Sequence, residues 1–365
     1  MLLLHRLEEI ADKRKLKSLV FTAPDNITYA IGIDVVGDFV GILHYNKESG
    51  WTLYVPVLEY YRFRENLPQS IDVVGVSKSQ KPPDAKVVEK DWKTIIAEIA
   101  GSSPAGADIS HNSPLTRTLL EVKDKFADIS NDIWEVRSVK TDSEIEQIKK
   151  AVEITARAID TVARFVEEGV RETYLAGLFE YRSRLMDVEK FAFEPIVAFK
   201  PGNSYPHYLP SSKRAGRREL VLVDVGVKSA GRCSDLTRMI VLGEVGEKEA
   251  RALEAVEEAL DASIDYVSPG VKAGEVYEVA AKTLEKHGLR DRFIHGLGHG
   301  IGVLVHEPPY LRPGNDTLLK PGMVFTLEPG VYFRGEFGVR IEEDVVVTKR
   351  GARVLSRRLE RVIRI

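Results

Sequence analysis

The stretch ELVLVDVGVKSAGRCSDLTRMIVLG (residues 219–243) reads as strand, turn and strand. Asp224 ends the first apolar run and Asp235 interrupts the second. Carboxylates are rarely buried without a partner, so each needs a reason. A hairpin turning around Lys228–Gly231 brings the two side chains close, and two carboxylates together either share a proton or bind a cation. The plainer alternative makes Asp224 a turn residue before Gly226 and Asp235 the partner of Arg238.

Two later stretches repeat the pattern. FTLEPGVYF (325–333) sets Glu328 among hydrophobic residues, and GVRIEEDVVV (338–347) does the same for Glu342. Arg340 and Glu342 share one strand face, because side chains alternate with period two; a structural ion pair between them is the plainer alternative. Four buried carboxylates would repel strongly, and divalent cations are the natural compensation. The stretch HGLGHGIGVLVHE (295–307) holds three of the eight histidines. It is no zincin HExxH, since His306–Glu307 precedes two prolines, and no dinucleotide loop, since Ile301 stands where glycine is required. The glycines around His299 let backbone approach a bound ion. One imidazole with four carboxylates is an oxygen-rich set. It suits two bridged Mn²⁺, Co²⁺, Fe²⁺ or Zn²⁺ ions better than a structural zinc.

The rest of the chain supplies the frame. Its 365 residues exceed the size of most single cores, so two domains are expected, 1–137 and 138–365. In the first, SLVFTA (18–23), WTLYVPV (51–57) and IDVVGV (71–76) read as strands, SKSQKPPDAK (77–86) as a loop and DWKTIIAEIA (91–100) as a helix. Trp51, Trp92 and Trp134 read as core or dimer packing. TDSE (141–144) is a capping box opening a helix whose apolar face is Ile145, Ile148, Val152, Ile159, Val162 and Val166. A second helix follows through TYLAGLFEYRSRL. The arrangement recurs with a helix over 247–266 and another ending at His287–Gly288. Gly169–Val170 and Gly270–Val271 lie 101 residues apart, which implies two equivalent halves with a cleft where they meet. Net charge is -3 with both signs dispersed, so nucleic acid is not an expected partner. No run of 18 apolar residues predicts a membrane span, and MLLLHRLEEI is too short in apolar residues for a secretory leader. Cys233, the single cysteine, reads as a small buried hydrophobe and excludes an intrachain disulfide, so a cytoplasmic location is expected. Three Gln, seven Asn and 29% charged residues lean towards heat stability.

Taken in order, D-x-G (224–226), S-D-x-T-R (234–238), HGxGHGxG (295–302), HE-x-P (306–309), E-P-G (328–330) and G-x-R-x-E (338–342) resemble the M24 pita-bread metallopeptidases. That group includes Xaa-Pro dipeptidases (prolidases), Xaa-Pro aminopeptidases, methionine aminopeptidase and metal-free creatinase. LHRLEEIADKRKLKSLVFTAPDNITYAIG resembles the creatinase-type N-terminal domain, so the likeness covers nearly the whole chain. The resemblance implies an α/β fold with a creatinase-like domain before a pita-bread domain of pseudo-two-fold halves. It makes Asp224, Asp235, His299, Glu328 and Glu342 the ligands of two ions, Mn²⁺ or Co²⁺ first, with Asp235 and Glu342 bridging. It gives substrate roles to His207, His306 and Arg340, makes Glu328 the proton shuttle, and leaves His295 structural. The implied activity is hydrolysis of the Xaa-Pro bond in dipeptides or short peptides by a homodimer. The alternatives are an Xaa-Pro aminopeptidase, a non-catalytic binding protein, or a hydrolase of another amide. One departure stands out. Prolidases carry an arginine near position 310 for the substrate carboxylate, and here Tyr310 occupies it; Arg312 and Lys200 are the candidate replacements. GIDVVGDF (32–39), with Asp38, is a candidate loop for reaching a partner's site.

Overall fold

The computed structural model describes residues 3–35, 38–102, 104–356 and 359–365, which divide between two compact units, Met1–Arg137 and Ser138–Ile365. In the first unit Ser18–Phe21, Gly50–Pro56 and Ile71–Val76 are strands. They belong to a seven-stranded sheet with Ile42–Asn46, Ala105–Ala107, Phe126–Asp128 and Val87–Val88. All four residues of Ser18–Phe21 are buried, which explains a continuous apolar run where a half-exposed strand would alternate. The helix Trp92–Ser102 packs Ile95, Ile96 and Ile99 into a core shared with Val20 and Ile42. Trp51 is buried against the Phe21 ring.

The second unit opens at the capping box. Thr141 Oγ1 accepts from the Glu144 N–H at 3.3 Å, and the Glu144 carboxylate accepts from the Thr141 N–H at 3.0 Å. The helix Asp142–Ala163 then buries Ile145, Ile148, Val152, Ile159 and Val162. Glu172–Arg184 lies beside it, and Glu247–Tyr266 with Ala273–Lys286 forms a second pair. The halves repeat in backbone detail. Gly169 and Gly270 both adopt positive φ, at 85° and 88°, a conformation that side chains with a Cβ resist. Two residues on, Arg171 and Lys272 each make an isolated antiparallel bridge, to Arg214 and Leu318.

Two main sheets carry the site. One has four strands ordered Val362–Arg364, Leu236–Leu242, Glu219–Val225 and Ile196–Ala198. The other has five, ordered Glu307–Leu311, Gly298–Gly300, Val324–Leu327, Glu343–Thr348 and Gly351–Val354. The period-two rule divides the central strand between two cores. Val221 and Val223 pack with the first helix pair, and Leu220 and Leu222 face the core that holds the second. Every residue of Glu219–Val225 is therefore buried. Thr141→Ala removes one half of the capping box and is expected to cost about 1 kcal/mol; a lower urea midpoint at unchanged m-value checks this, and an unchanged midpoint contradicts it.

Candidate metal centre

Glu219–Val225 and Leu236–Leu242 pair antiparallel with Asp224 opposite Thr237. Asp224 thus sits within a strand, and Asp235 directly precedes the next one. A small hairpin of Val227–Ser229 and Arg232–Cys233 joins them. His299 lies in Gly298–Gly300, Glu328 follows Val324–Leu327, and Glu342 stands between Phe337–Arg340 and Glu343–Thr348. Strand ends from both sheets therefore aim these side chains at one place. His299 Nε2 lies 3.4 Å from Glu328 Oε1 and 3.7 Å from Asp235 Oδ2. One ligand atom each from Asp235, His299 and Glu342 falls within 4.8 Å of the others.

Two arginines settle the plainer alternatives. Arg340 donates to Asp224 Oδ2, to the Tyr332 hydroxyl at 2.7 Å and to Thr237 Oγ1 at 3.3 Å. Its carboxylate partner is Asp224, across the sheets, while Glu342 accepts from Thr237 Oγ1 at 2.8 Å. Arg238 binds Glu343 at 3.0 Å and the main-chain oxygen of Glu342, so it does not neutralise Asp235.

The electrostatics follow from burial. Desolvation, then the carboxylates of Glu342, Asp224, Asp344 and Glu328, push Asp235 well above the usual carboxylate range. Desolvation and Glu328 push Glu342 up as well. Glu328 is raised to about 8, mainly by burial and against the pull of Arg340. Burial holds His299 down at about 3, so its ring is neutral. His299 Nδ1 lies 3.3 Å from the Gly300 carbonyl oxygen; as the donor there, it leaves the Nε2 lone pair facing the carboxylates. Asp224 Oδ1 and Asp235 Oδ1 are buried without a hydrogen-bond partner. Buried acceptors in want of positive charge, beside a neutral imidazole nitrogen, fit divalent cations.

A cavity of about 670 Å³ opens on this cluster. Asp224, Asp235, His299, Glu328 and Glu342, with His207, His306 and Arg340, line it, as do His295, Tyr310 and Arg312. The His306 ring lies against that of His299, centroids 4.2 Å apart. His207 stands on the exposed stretch beyond the short helix Gly202–Ser204. His295 shares a contact with the Tyr332 hydroxyl at 3.0 Å. Lys200 does not take the place of the absent arginine. Its Nζ is bound to Glu249 at 2.8 Å, and it is not among the residues lining the cavity. Arg312 does line it, with its guanidinium 5.7 Å from the Tyr310 ring centroid. Cys233 is buried, with Sγ 3.5 Å from the Val303 carbonyl oxygen. In GIDVVGDF, Val36 and Gly37 lie outside the described residues.

Sequence reasoning missed Thr237, Tyr332 and Asp344. Tyr332 bridges Arg340 and His295, and Asp344 Oδ2 accepts from the Asp235 N–H at 3.1 Å. Strand alternation gave a signal for one of them: Asp344 is a third acidic residue in the apolar run that carries Glu342. Thr237 and Tyr332 are ordinary strand residues, and only their cross-strand neighbours reveal them.

A buried, oxygen-rich cluster of carboxylates with one imidazole, facing a cavity of this size, fits a metal-dependent hydrolase. Residues 146–349 match the model of metallopeptidase family M24, and residues 4–139 match the creatinase/prolidase N-terminal domain. The chain belongs to metallopeptidase family M24. It is 33% identical to the Xaa-Pro dipeptidase of Pyrococcus furiosus over 97% of both chains. The solved prolidase from that organism superposes with a TM-score of 0.82 at 32% identity, covering 95% of this chain and 98% of that one. The X-Pro aminopeptidase from Thermotoga maritima gives a TM-score of 0.87 at 27% identity over 100% of both chains.

The raised carboxyls predict how chelator-treated protein responds to pH. Glu328 has a folded value of about 8 against an ordinary 4.5, so its contribution to stability is full below about pH 4.5 and is lost as pH rises through about 8. Chelated protein should therefore become less stable across that window, and Glu328→Gln should flatten the decline. Urea midpoints between pH 5 and pH 8 test this, and a rise with pH would contradict it.

Proposed function

We propose that the chain is an Xaa-Pro dipeptidase, a cytoplasmic homodimer that uses two Mn²⁺ or Co²⁺ ions, with Zn²⁺ or Fe²⁺ as lesser alternatives. The observation that carries the reading is the convergence of Asp224, Asp235, His299, Glu328 and Glu342 beside a cavity that also holds Arg312. The likeness to the Pyrococcus furiosus Xaa-Pro dipeptidase along almost the whole chain supports it. The cytoplasmic assignment draws on the single cysteine and on the described helices, none of which is long and apolar enough to cross a membrane.

Those five side chains would hold the ions. When bound, such ions lower the pKa of water and polarise a carbonyl. The remaining work falls to the chain. Glu328 takes a proton at its carboxylate and returns it to the departing amine, the work of a general acid–base. His306, its imidazole pushed down by the partly desolvated cleft and by His207, hydrogen-bonds the substrate's carbonyl oxygen. His207 contacts the substrate from the facing stretch. Arg340 orients Asp224 and Tyr332. Arg312 meets the terminal carboxylate, while the Tyr310 face packs on the proline ring. Proline's tertiary amide lacks an N–H and its ring fixes φ, so the pocket is read by shape and charge.

The second reading is an Xaa-Pro aminopeptidase, which needs no carboxylate partner. Tyr310 and the likeness to the Thermotoga maritima enzyme favour it. Comparing Met-Pro, Met-Pro-Ala and Met-Ala, with Mn²⁺ or Co²⁺ and then with chelator, separates the readings. Metal-dependent cleavage of Met-Pro alone is the expected result; cleavage of Met-Pro-Ala as well would replace the dipeptidase by the aminopeptidase. Asp235→Ala is expected to abolish turnover without unfolding the chain. Arg312→Ala should raise KM for Met-Pro about tenfold or more, the scale of one charge-assisted bond, and leave Met-Pro-amide unaffected. An equal effect on both substrates would remove Arg312 from that role.

A further inference from the structure

Glu307 follows His306 directly yet points the other way. His306 is exposed and lines the cavity, whereas Glu307 is 1% exposed. Its carboxylate lies 3.0 Å from Lys140 Nζ, and both side chains are almost fully buried, at 2% and 1%. Such a pair gains little stability over well-packed apolar residues, because desolvating two charges offsets most of their attraction. Its presence calls for another account.

The backbone supplies one. Glu307–Leu311 is the edge strand of the five-stranded sheet, and its ladder is interrupted where His306 needs support. His299 pairs with Tyr310 and Gly300 with Glu307, which leaves Pro308 and Pro309 unmatched in a bulge. Neither proline has an N–H to donate, so the ladder cannot fix this part of the strand. Side chains take over. The Glu307 carboxylate fills the inside of the turn that carries His306: a Cβ on Gly302 would lie 2.4 Å from Glu307 Oε1, and the Leu304 N–H points to Oε2 at 3.5 Å. Lys140 is anchored in turn, its N–H donating to the Gly322 carbonyl oxygen at 2.9 Å. Ser138 Oγ donates to the Pro308 carbonyl oxygen at 3.2 Å. Segment 138–140 is the floor on which the His306 turn rests.

We infer that the buried Lys140–Glu307 ion pair is a positioning device that holds the His306 turn and so sets where that imidazole stands in the cleft. Lys140 and Glu307 are positioning residues, because neither lines the cavity. The inference rests on the proposed peptidase activity only in its kinetic reading; the ordering of the turn can be measured without any substrate.

The test is the double variant Lys140→Met/Glu307→Met, which replaces the pair by apolar side chains of similar volume and removes both charges together. Three measurements are made on the metal-loaded full chain: thermal midpoint with bound Mn²⁺, amide hydrogen exchange over residues 302–307, and kcat and KM for Met-Pro. The expected result is a parental midpoint and metal content, faster exchange in that segment, and kcat lower by roughly 100-fold with KM little changed, as displacement of a group acting on the reacting carbonyl requires. A folded double variant with parental exchange and kcat within about twofold of the parent would overturn the inference. Glu307→Gln keeps the shape and an acceptor oxygen but loses the charge, and it should fall between parent and double variant in exchange and kcat. If the double variant fails to fold, parental values in a folded Glu307→Gln protein overturn the inference equally. A parent that does not hydrolyse Met-Pro would sink the proposed function, and the exchange data would still decide the positioning role.

Discussion

Like charges crowded in a buried space govern this protein. Asp224, Asp235, Glu342 and the nearby Asp344 are all buried, and Glu328 nearly so. Water cannot screen them there, so each carboxylate raises the cost of ionising the next. Two responses are visible. Some of the groups shift strongly towards the protonated form, as Asp235, Glu328 and Glu342 do. Arg340 neutralises Asp224 and at the same time ties it to Tyr332 and Thr237. What remains is a concentration of acceptor oxygens, three of them (on Asp224, Asp235 and Asp344) buried without a hydrogen-bond partner, which makes cation binding the low-energy outcome.

The scaffold serves that requirement by using strand ends. A ligand in mid-helix would share its surroundings with neighbours three and four residues away. A ligand where one strand ends and the next begins stands against the other sheet, and its strand neighbours point into the core. Leu222 and Val223, just before Asp224, go to opposite cores, so the backbone at the ligand is clamped from both sides. Rigidity of this kind lets the five proposed ligands, from separate segments, meet with little reorganisation on binding.

Much of this was legible in the sequence, for a physical reason. A charged residue inside an apolar strand pattern is costly, so Asp224, Asp235, Glu328 and Glu342 announced themselves by being out of place. The capping box and the long apolar helix face were legible because both are local. The helix Pro24–Ile31 and the edge strand Val87–Val88 were not read, since short elements carry too few repeats to show a period. Pairings were the other loss. The sequence neighbours Arg340–Glu342 and Arg238–Asp235 suggested ion pairs, but a guanidinium reaches across strands as easily as along one. Arg340 took Asp224, and Arg238 took Glu343. Thr237 and Tyr332 escaped notice because hydroxyls are unremarkable in strands and matter here only through what lies opposite.

The turn from Gly302 to Tyr310 meets two opposed demands. It must present His306 beside His299 and Tyr310 to the cavity, which keeps those side chains exposed and sparsely packed. It must also hold them still, because a catalytic contact decays steeply with displacement. A regular edge strand would fix the backbone, but it would also set His306 and Tyr310 at the spacing of the ladder. The two unmatched prolines break that spacing and stiffen φ, at the expense of two donors. A buried ion pair on the opposite side restores the hold without occupying the cleft. Charge suits this task better than apolar packing, because the carboxylate can be satisfied in few orientations, whereas a methyl group in the same space could slide. The gain is in definition rather than in stability, which is the role a buried, desolvated pair performs best.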